Sequence, residues 1–183
     1  MTRIFSTLAV VNALALVASV VTGLVSQLAD GLHHAPTFLT HFTTGLFTAI
    51  GTLFVHCLIF TYFLGTGRWV KEVGLAYDLP DAPLPRQTRE LKRRTFPPAL
   101  LAMLVTIATA AAGMGNQRQE WPWQVHGALA LATLLINAWA FFIEYRNVRA
   151  NGLIIDEVMR EVDRIRRDRG LPSNAADLER HEV

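Results

Sequence analysis

The stretch FLTHFTTGLFTAIGTLFVHCLIFTYFL, residues 38–64, contains no Lys, Arg, Asp or Glu. It is longer than the roughly 20 apolar residues that a helix needs to cross the hydrocarbon core of a bilayer. Two histidines nevertheless interrupt it, His41 near its start and His56 in its second half. The stretch therefore predicts a membrane-spanning helix that carries two ionisable side chains, and such side chains point to function.

Three further apolar runs of similar character predict an all-α, four-helix transmembrane bundle, since 51% of the 183 residues are hydrophobic. The first run is too long for the apolar region of a signal peptide, about 7–15 residues, so we expect it to remain as an uncleaved helix. The four predicted spans are approximately residues 4–25, 38–64, 98–114 and 123–145.

The basic residues predict the orientation of the bundle, because Lys and Arg accumulate in cytoplasmic segments of membrane proteins. Of the 17 Lys and Arg residues, Arg118 alone falls in the loops after the first and third runs. The others lie before the first run, between the second and third, or after the fourth. This distribution predicts an integral protein of a bacterial inner (cytoplasmic) membrane with both termini in the cytoplasm. The basic segments indicate contact with anionic lipid rather than nucleic acid.

The chain divides into a predicted transmembrane domain, residues 1–152, a cytoplasmic amphipathic helix, residues 153–170, and a disordered tail, residues 171–183. In the amphipathic segment, the residues Ile155, Val158, Val162 and Ile165 are spaced 3, 4 and 3 apart, which is a short heptad seam. Two interpretations stay open for it: packing on the loop or membrane surface of the same chain, or contact with a partner subunit or a second copy.

Two helices carry polar stripes that predict which faces meet inside the bundle. In the second helix, His41, Gly45, Thr48, Thr52 and His56 share one face. In the fourth, the stripe is His126, Ala130, Thr133, Asn137, Ala140 and Glu144, with Glu144 expected at the cytoplasmic edge beside arginines.

The estimated depths of these residues in the membrane match across the two helices. His41 and His126 lie at a similar depth, at the outer end. A common inner polar layer is predicted to consist of Asn12, His56, Thr106 and Asn137.

Two histidines at one depth on facing helices are suited to act as the axial ligands of a b-type haem. His41 and His126 meet this condition, and Gly45 and Gly127 would permit close approach of the flat macrocycle. His56 lies about 22 Å further along its helix, so it cannot join that site. In layout only, a single haem here resembles small membrane-anchor cytochrome b subunits, which exchange electrons with quinones. No stretch matches a motif of that group.

Other interpretations of the same residues remain open at this stage. Small and polar stripes are ordinary features of membrane helix packing, which would make the chain a non-catalytic scaffold or assembly subunit of a larger complex. A Zn²⁺ or Cu site would need more ligands, and His33 or His34 could join His41 and His126. A proton or ion path through His56, Asn137 and Glu144 is a further alternative. No nucleophile–base pair is recognisable, so an enzyme acting alone is not expected.

Overall fold

The computed structural model describes residues 1–29, 36–80, 83–118 and 120–174. Within these ranges the chain forms four α-helices and no strand: α1 (Thr2–Leu28), α2 (Pro36–Ala76), α3 (Leu84–Gln117) and α4 (Trp123–Asp168). All four are long and apolar enough to cross a membrane. The prediction of an all-helical fold with four helices able to span a membrane is therefore confirmed.

Three of the helices are much longer than a bilayer requires. Helix α2 has 41 residues and α4 has 46, which at about 1.5 Å per residue gives lengths near 60 and 70 Å. The hydrocarbon core is only about 30 Å thick. The apolar halves of α2, α3 and α4 therefore continue without a break into polar halves rich in Lys and Arg. We call the end of the bundle that these polar halves form the basic end, and the opposite end, which carries His41 and His126, the histidine end.

Helix α3 starts at Leu84, well before residue 98, where the predicted span begins. Pro97 and Pro98 lie inside α3, although proline lacks the N–H that an interior helical position normally donates. Neighbouring helices enclose this turn, since Thr95 and Ala99 are fully buried. The Thr95 hydroxyl also donates a hydrogen bond to the Leu91 carbonyl at 2.7 Å. Packing and this local bond allow the helix to pass through the two prolines.

The two central residues of the heptad seam, in the polar half of α4, pack against the same chain. Val158 and Val162 are 1% and 3% exposed, and they form an apolar cluster with Ile154 and with Val70 of α2. Trp69 and Tyr77 pack against the same cluster. The residues at the centre of the seam therefore hold the polar halves of α2 and α4 together.

We expect Val158→Ala to lower the free energy of unfolding by about 2 kcal/mol, because a fully buried valine loses two methyl groups and leaves a cavity. Thermal unfolding in mild detergent measures this change. Leu75→Ala is the matched control, since Leu75 lies near the same end of α2 but is 75% exposed. Equal effects of the two substitutions would contradict the packing described for the seam.

Candidate functional site

The two histidines of the histidine end face each other across the interior of the bundle. His41 projects from α2 and His126 from α4, and the centroids of their rings are 6.0 Å apart, with the ring planes at 68°. Both side chains are partly buried. The structure thus brings together the pair that the polar stripes and the estimated depths had matched.

Each histidine is held by a backbone carbonyl of a neighbouring helix. The Nδ1 atom of His41 lies 3.1 Å from the carbonyl oxygen of Ser19 on α1, and that of His126 lies 3.0 Å from the carbonyl oxygen of Thr109 on α3. A carbonyl only accepts hydrogen bonds, so both Nδ1 atoms carry the proton. Neither Nε2 atom has a hydrogen-bond partner among the described residues. Both Nε2 atoms are therefore unprotonated in the neutral rings and have a lone pair available.

Glycines on α1 and α3 make these two contacts possible. Gly23 lies four residues after Ser19, and Gly113 lies four residues after Thr109. A Cβ atom built on Gly23 would lie 2.9 Å from Cε1 of His41, and one on Gly113 would lie 3.0 Å from Cε1 of His126. Because Cβ atoms tilt toward the helix N-terminus, a side chain at either glycine would cover the carbonyl that the histidine reaches. The α1–α2 and α3–α4 hairpins thus hold their histidines in the same way.

The two glycines proposed from sequence occupy different surroundings. A Cβ atom on Gly45 would lie 3.4 Å from the Ser19 hydroxyl, and one on Gly127 would lie 3.5 Å from the Trp123 ring. They allow the helices and Trp123 to approach, but they are not against the histidine rings. Sequence reasoning missed Gly23 and Gly113, although each follows a Ser or Thr by four residues at the depth of the histidines.

A cavity of about 320 Å³ lies at this end, and all four helices line it. This volume falls within the range of small-molecule sites, about 300–1,000 Å³. His41 and His126 line the cavity, as do glycines from each helix, and its inner boundary includes Thr48, Thr106 and Thr133. The histidine end therefore offers two imidazoles in a cavity that all four helices line.

The inner polar layer forms further along the bundle and is more tightly connected. His56 and Asn137 are fully buried, and Nε2 of His56 lies 3.0 Å from Oδ1 of Asn137. The Asn137 amide donates to the Thr106 hydroxyl at 3.4 Å. Asn12, the fourth predicted member, instead donates to the Thr52 hydroxyl at 2.8 Å, one turn along α2 from His56. Three of the four predicted residues are thus directly bonded, and Asn12 lies beside them.

Glu144 belongs to this layer and pairs with His56, whereas the sequence suggested that it lies beside arginines. Its side chain is fully buried, and Oε1 lies 2.7 Å from Nδ1 of His56. Its other oxygen, Oε2, is buried and has no hydrogen-bond partner among the described residues. The spacing of α4 had placed Glu144 on the inward face. The continuation of α4 to Asp168 within the bundle was not visible from the apolar runs.

Aromatic rings enclose the His56–Glu144 pair. The ring of Phe141 stacks on His56 with centroids 5.1 Å apart, and Phe5 of α1 meets Phe141 edge to face at 6.4 Å. Phe63, which is fully buried, belongs to the same apolar cluster. The pair therefore lies in an apolar environment, where an isolated charge would be costly.

Further metal ligands are absent from the described part of the chain, in which no group of three or more His, Cys, Asp or Glu side chains could hold a metal ion. His33 and His34, the proposed additional ligands of a zinc or copper site, lie in residues 30–35, outside the described residues. Among the described residues, the histidine end thus presents two imidazoles, those of His41 and His126.

Comparison with known proteins adds no relative: no protein-family model matches the sequence, and no curated protein or solved structure matches it.

Proposed function

We propose that the chain is a membrane-embedded electron-transfer subunit that binds one b-type haem, with His41 and His126 as its two axial ligands. The observation that carries the proposal is the distance of 6.0 Å between the imidazole centroids. A metal bound on opposite sides by two imidazole nitrogens, each at about 2 Å, holds the ring centroids about 6 Å apart. The spacing therefore matches the requirement of a bis-histidine iron.

The hydrogen bonds of the two rings support the same assignment. Histidine ligands commonly donate the other ring N–H to a carbonyl, which fixes the ring and raises the basicity of the coordinating nitrogen. Ser19 and Thr109 provide these carbonyls, and the Nε2 atoms remain for the iron. The cavity of about 320 Å³, which both histidines line, would be the space for the porphyrin. A bound haem would supply reversible one-electron chemistry.

The location of the site suggests how electrons reach it. We propose that the basic end lies on the cytoplasmic side of a bacterial inner membrane, because nearly all Lys and Arg residues are at that end. The haem would then lie near the outer surface, beside Trp121 and Trp123. A quinone in the bilayer or a partner subunit would exchange electrons with it there.

Expression with ample haem, purification in mild detergent and reduced-minus-oxidised spectroscopy test the proposal. We expect Soret and α bands, with one haem per chain by pyridine haemochrome analysis. Metal analysis of the same sample distinguishes zinc or copper bound at the two histidines. A protein without these bands, or one that carries stoichiometric zinc or copper in place of iron, would rule out the haem assignment.

A glycine substitution tests the positioning of the histidines separately from their ability to bind iron. We expect Gly23→Ala to lower haem affinity by about 10- to 100-fold, the usual loss when a group that orients a metal ligand is disturbed. The new methyl group would displace the His41 ring from the Ser19 carbonyl. Haem titration of the purified variant measures the change. Gly65→Ala is the control, because a Cβ atom on Gly65 meets no atom within 4 Å, and unchanged affinity in both variants would contradict the geometry.

A further inference from the structure

The hydrogen bonds of Asn137 determine where the proton of His56 lies. The Asn137 amide nitrogen donates to the carbonyl oxygen of Thr133 at 2.8 Å and to the hydroxyl of Thr106. The Thr106 hydroxyl donates its own hydrogen to the Ala102 carbonyl at 2.7 Å, so it accepts from Asn137. The amide oxygen of Asn137 therefore faces His56, and an amide oxygen can only accept. It follows that Nε2 of His56 carries a hydrogen.

The remaining contact of His56 then holds a single proton. Nδ1 of His56 and Oε1 of Glu144 are 2.7 Å apart, and one hydrogen lies between them. Whether this hydrogen is assigned to the imidazole or to the carboxyl group, the two side chains together have no net charge. A neutral unit is the form that an apolar membrane interior favours.

The pair has room for one more proton without rearrangement. Oε2 of Glu144 is buried and accepts no hydrogen bond from the described residues. A proton added to this oxygen would leave the contacts of His56 with both Glu144 and Asn137 in place. Such an addition changes the net charge of the pair from zero to +1 and breaks no existing hydrogen bond.

The pair is also connected to the cavity at the histidine end. Asn137, which binds His56, donates to the carbonyl of Thr133, and the hydroxyls of Thr133 and Thr109 are 2.6 Å apart. The carbonyl of Thr109 is the group that accepts from His126. Three residues in hydrogen-bond contact, Asn137, Thr133 and Thr109, therefore lie between the buried pair and His126.

Few other ionisable groups face this part of the interior. The buried polar residues contributed by α1 and α3 around it are Asn12, Thr95 and Thr106, and none of them titrates. Helix α2 adds Thr52 and the half-buried Tyr62, whose hydroxyl accepts from Asn151 of α4 at 3.0 Å. Among the buried side chains of the described residues, His56 and Glu144 alone are ionisable.

We propose that the His56–Glu144 pair is a proton-binding site in the membrane interior, and that its proton occupancy rises when the cofactor at the histidine end is reduced. The coupling rests on the proposed function, whereas the proton site itself does not. If a haem held by His41 and His126 gained one electron from a reductant, the loss of one positive charge there would raise the proton affinity of the pair. A fraction of one proton would then move from the aqueous phase to the pair.

The expected coupling is moderate because the two sites are separated. At about 20 Å and an effective dielectric constant near 20, removal of one positive charge raises the proton affinity of the pair about fourfold. Such a change is sufficient to alter proton occupancy over a limited pH range. It is too small to make electron transfer strictly dependent on the proton.

Infrared difference spectroscopy tests the proton site on the protein as purified, held oxidised while the pH is lowered. We expect a difference band in the C=O stretching region of protonated carboxylic acids, lost in Glu144→Gln and altered in His56→Gln. Glu90→Gln is the control, because the Glu90 carboxylate is exposed and paired with Arg94 at 2.9 Å. No pH-dependent band, or a band that persists in Glu144→Gln, would overturn the proton site.

Reduction of the haem-loaded protein by dithionite tests the coupling. We expect the same carboxylic-acid band in the reduced-minus-oxidised infrared spectrum, with proton uptake from a weakly buffered solution that disappears in Glu144→Gln. A pH-dependent band with no response to reduction would overturn the coupling and leave the proton site supported. A protein that binds no haem would overturn the coupling together with the proposed function, and the pH experiment would still decide on the proton site.

Discussion

His41→Ala and His126→Ala are each expected to abolish the visible spectrum of a bound low-spin haem. If the proposed function is correct, loss of either imidazole removes one of the two ligands of the iron, and the other histidine alone cannot maintain a bis-histidine iron. Because disturbance of a group that merely orients a ligand costs about 10- to 100-fold in affinity, loss of the ligand itself should cost at least about 100-fold. Haem titration followed by reduced-minus-oxidised spectra measures this effect.

A substitution of His56, the third histidine in the helices, is the control for this experiment. His56→Gln removes an imidazole from the same helix as His41 but from the inner layer, about 22 Å away. We expect it to retain the Soret and α bands. If His41→Ala keeps the wild-type spectrum, or if His56→Gln loses it while remaining folded, the ligand assignment is wrong.

Glu144→Ala is expected to destabilise the bundle strongly, by about 3–5 kcal/mol, the usual cost of removing one partner of a buried ion pair. The substitution leaves Nδ1 of His56 without its partner inside a cluster of phenylalanines. It also leaves a cavity where the carboxylate and its methylenes had been. Thermal or denaturant unfolding in detergent measures the loss.

Two control substitutions distinguish the effect of the buried pair from the general effect of removing a carboxylate. Glu90→Ala breaks an exposed pair with Arg94 and should cost at most about 1 kcal/mol. Glu144→Gln should be much milder than Glu144→Ala, because the amide nitrogen of glutamine can still donate to Nδ1 of His56. A Glu144→Ala variant as stable as Glu90→Ala would show that the pair does not stabilise the fold.

The number of spans and the pairing of His41 with His126 could be predicted from sequence for simple physical reasons. Apolar runs of sufficient length can only satisfy their backbone groups in a membrane as helices. A residue rise of about 1.5 Å then converts positions along each run into depths. Because both histidines lie near the same end of their runs, their depths match without knowledge of the packing.

The inner layer was predictable only in part, because apolar runs do not show where a helix leaves the bundle. Asn137 and Glu144 are seven residues apart on α4, which placed both on the inward face. Glu144 nevertheless follows an apolar run and precedes Arg146. That position resembles a membrane edge. In the structure α4 continues to Asp168 and packs on α2. Glu144 therefore lies well inside the bundle, where His56 is its partner.

The roles of individual glycines could not be obtained from their presence alone. Gly45 and Gly127 lie close in sequence to the two histidines, which suggested that they leave room for a cofactor. The carbonyls that bind the histidines, however, belong to α1 and α3, so the glycines that matter for the rings are Gly23 and Gly113. Which carbonyl a histidine reaches depends on which helices are adjacent in the bundle, and a single sequence does not specify that.

The most direct test of the central claim is near-infrared magnetic circular dichroism of the oxidised, haem-loaded protein, because the position of its charge-transfer band identifies the pair of axial ligands. We predict the band of a low-spin iron with two histidine ligands in the wild-type protein. A high-spin iron, or a band that belongs to any other ligand pair, would contradict the assignment of His41 and His126.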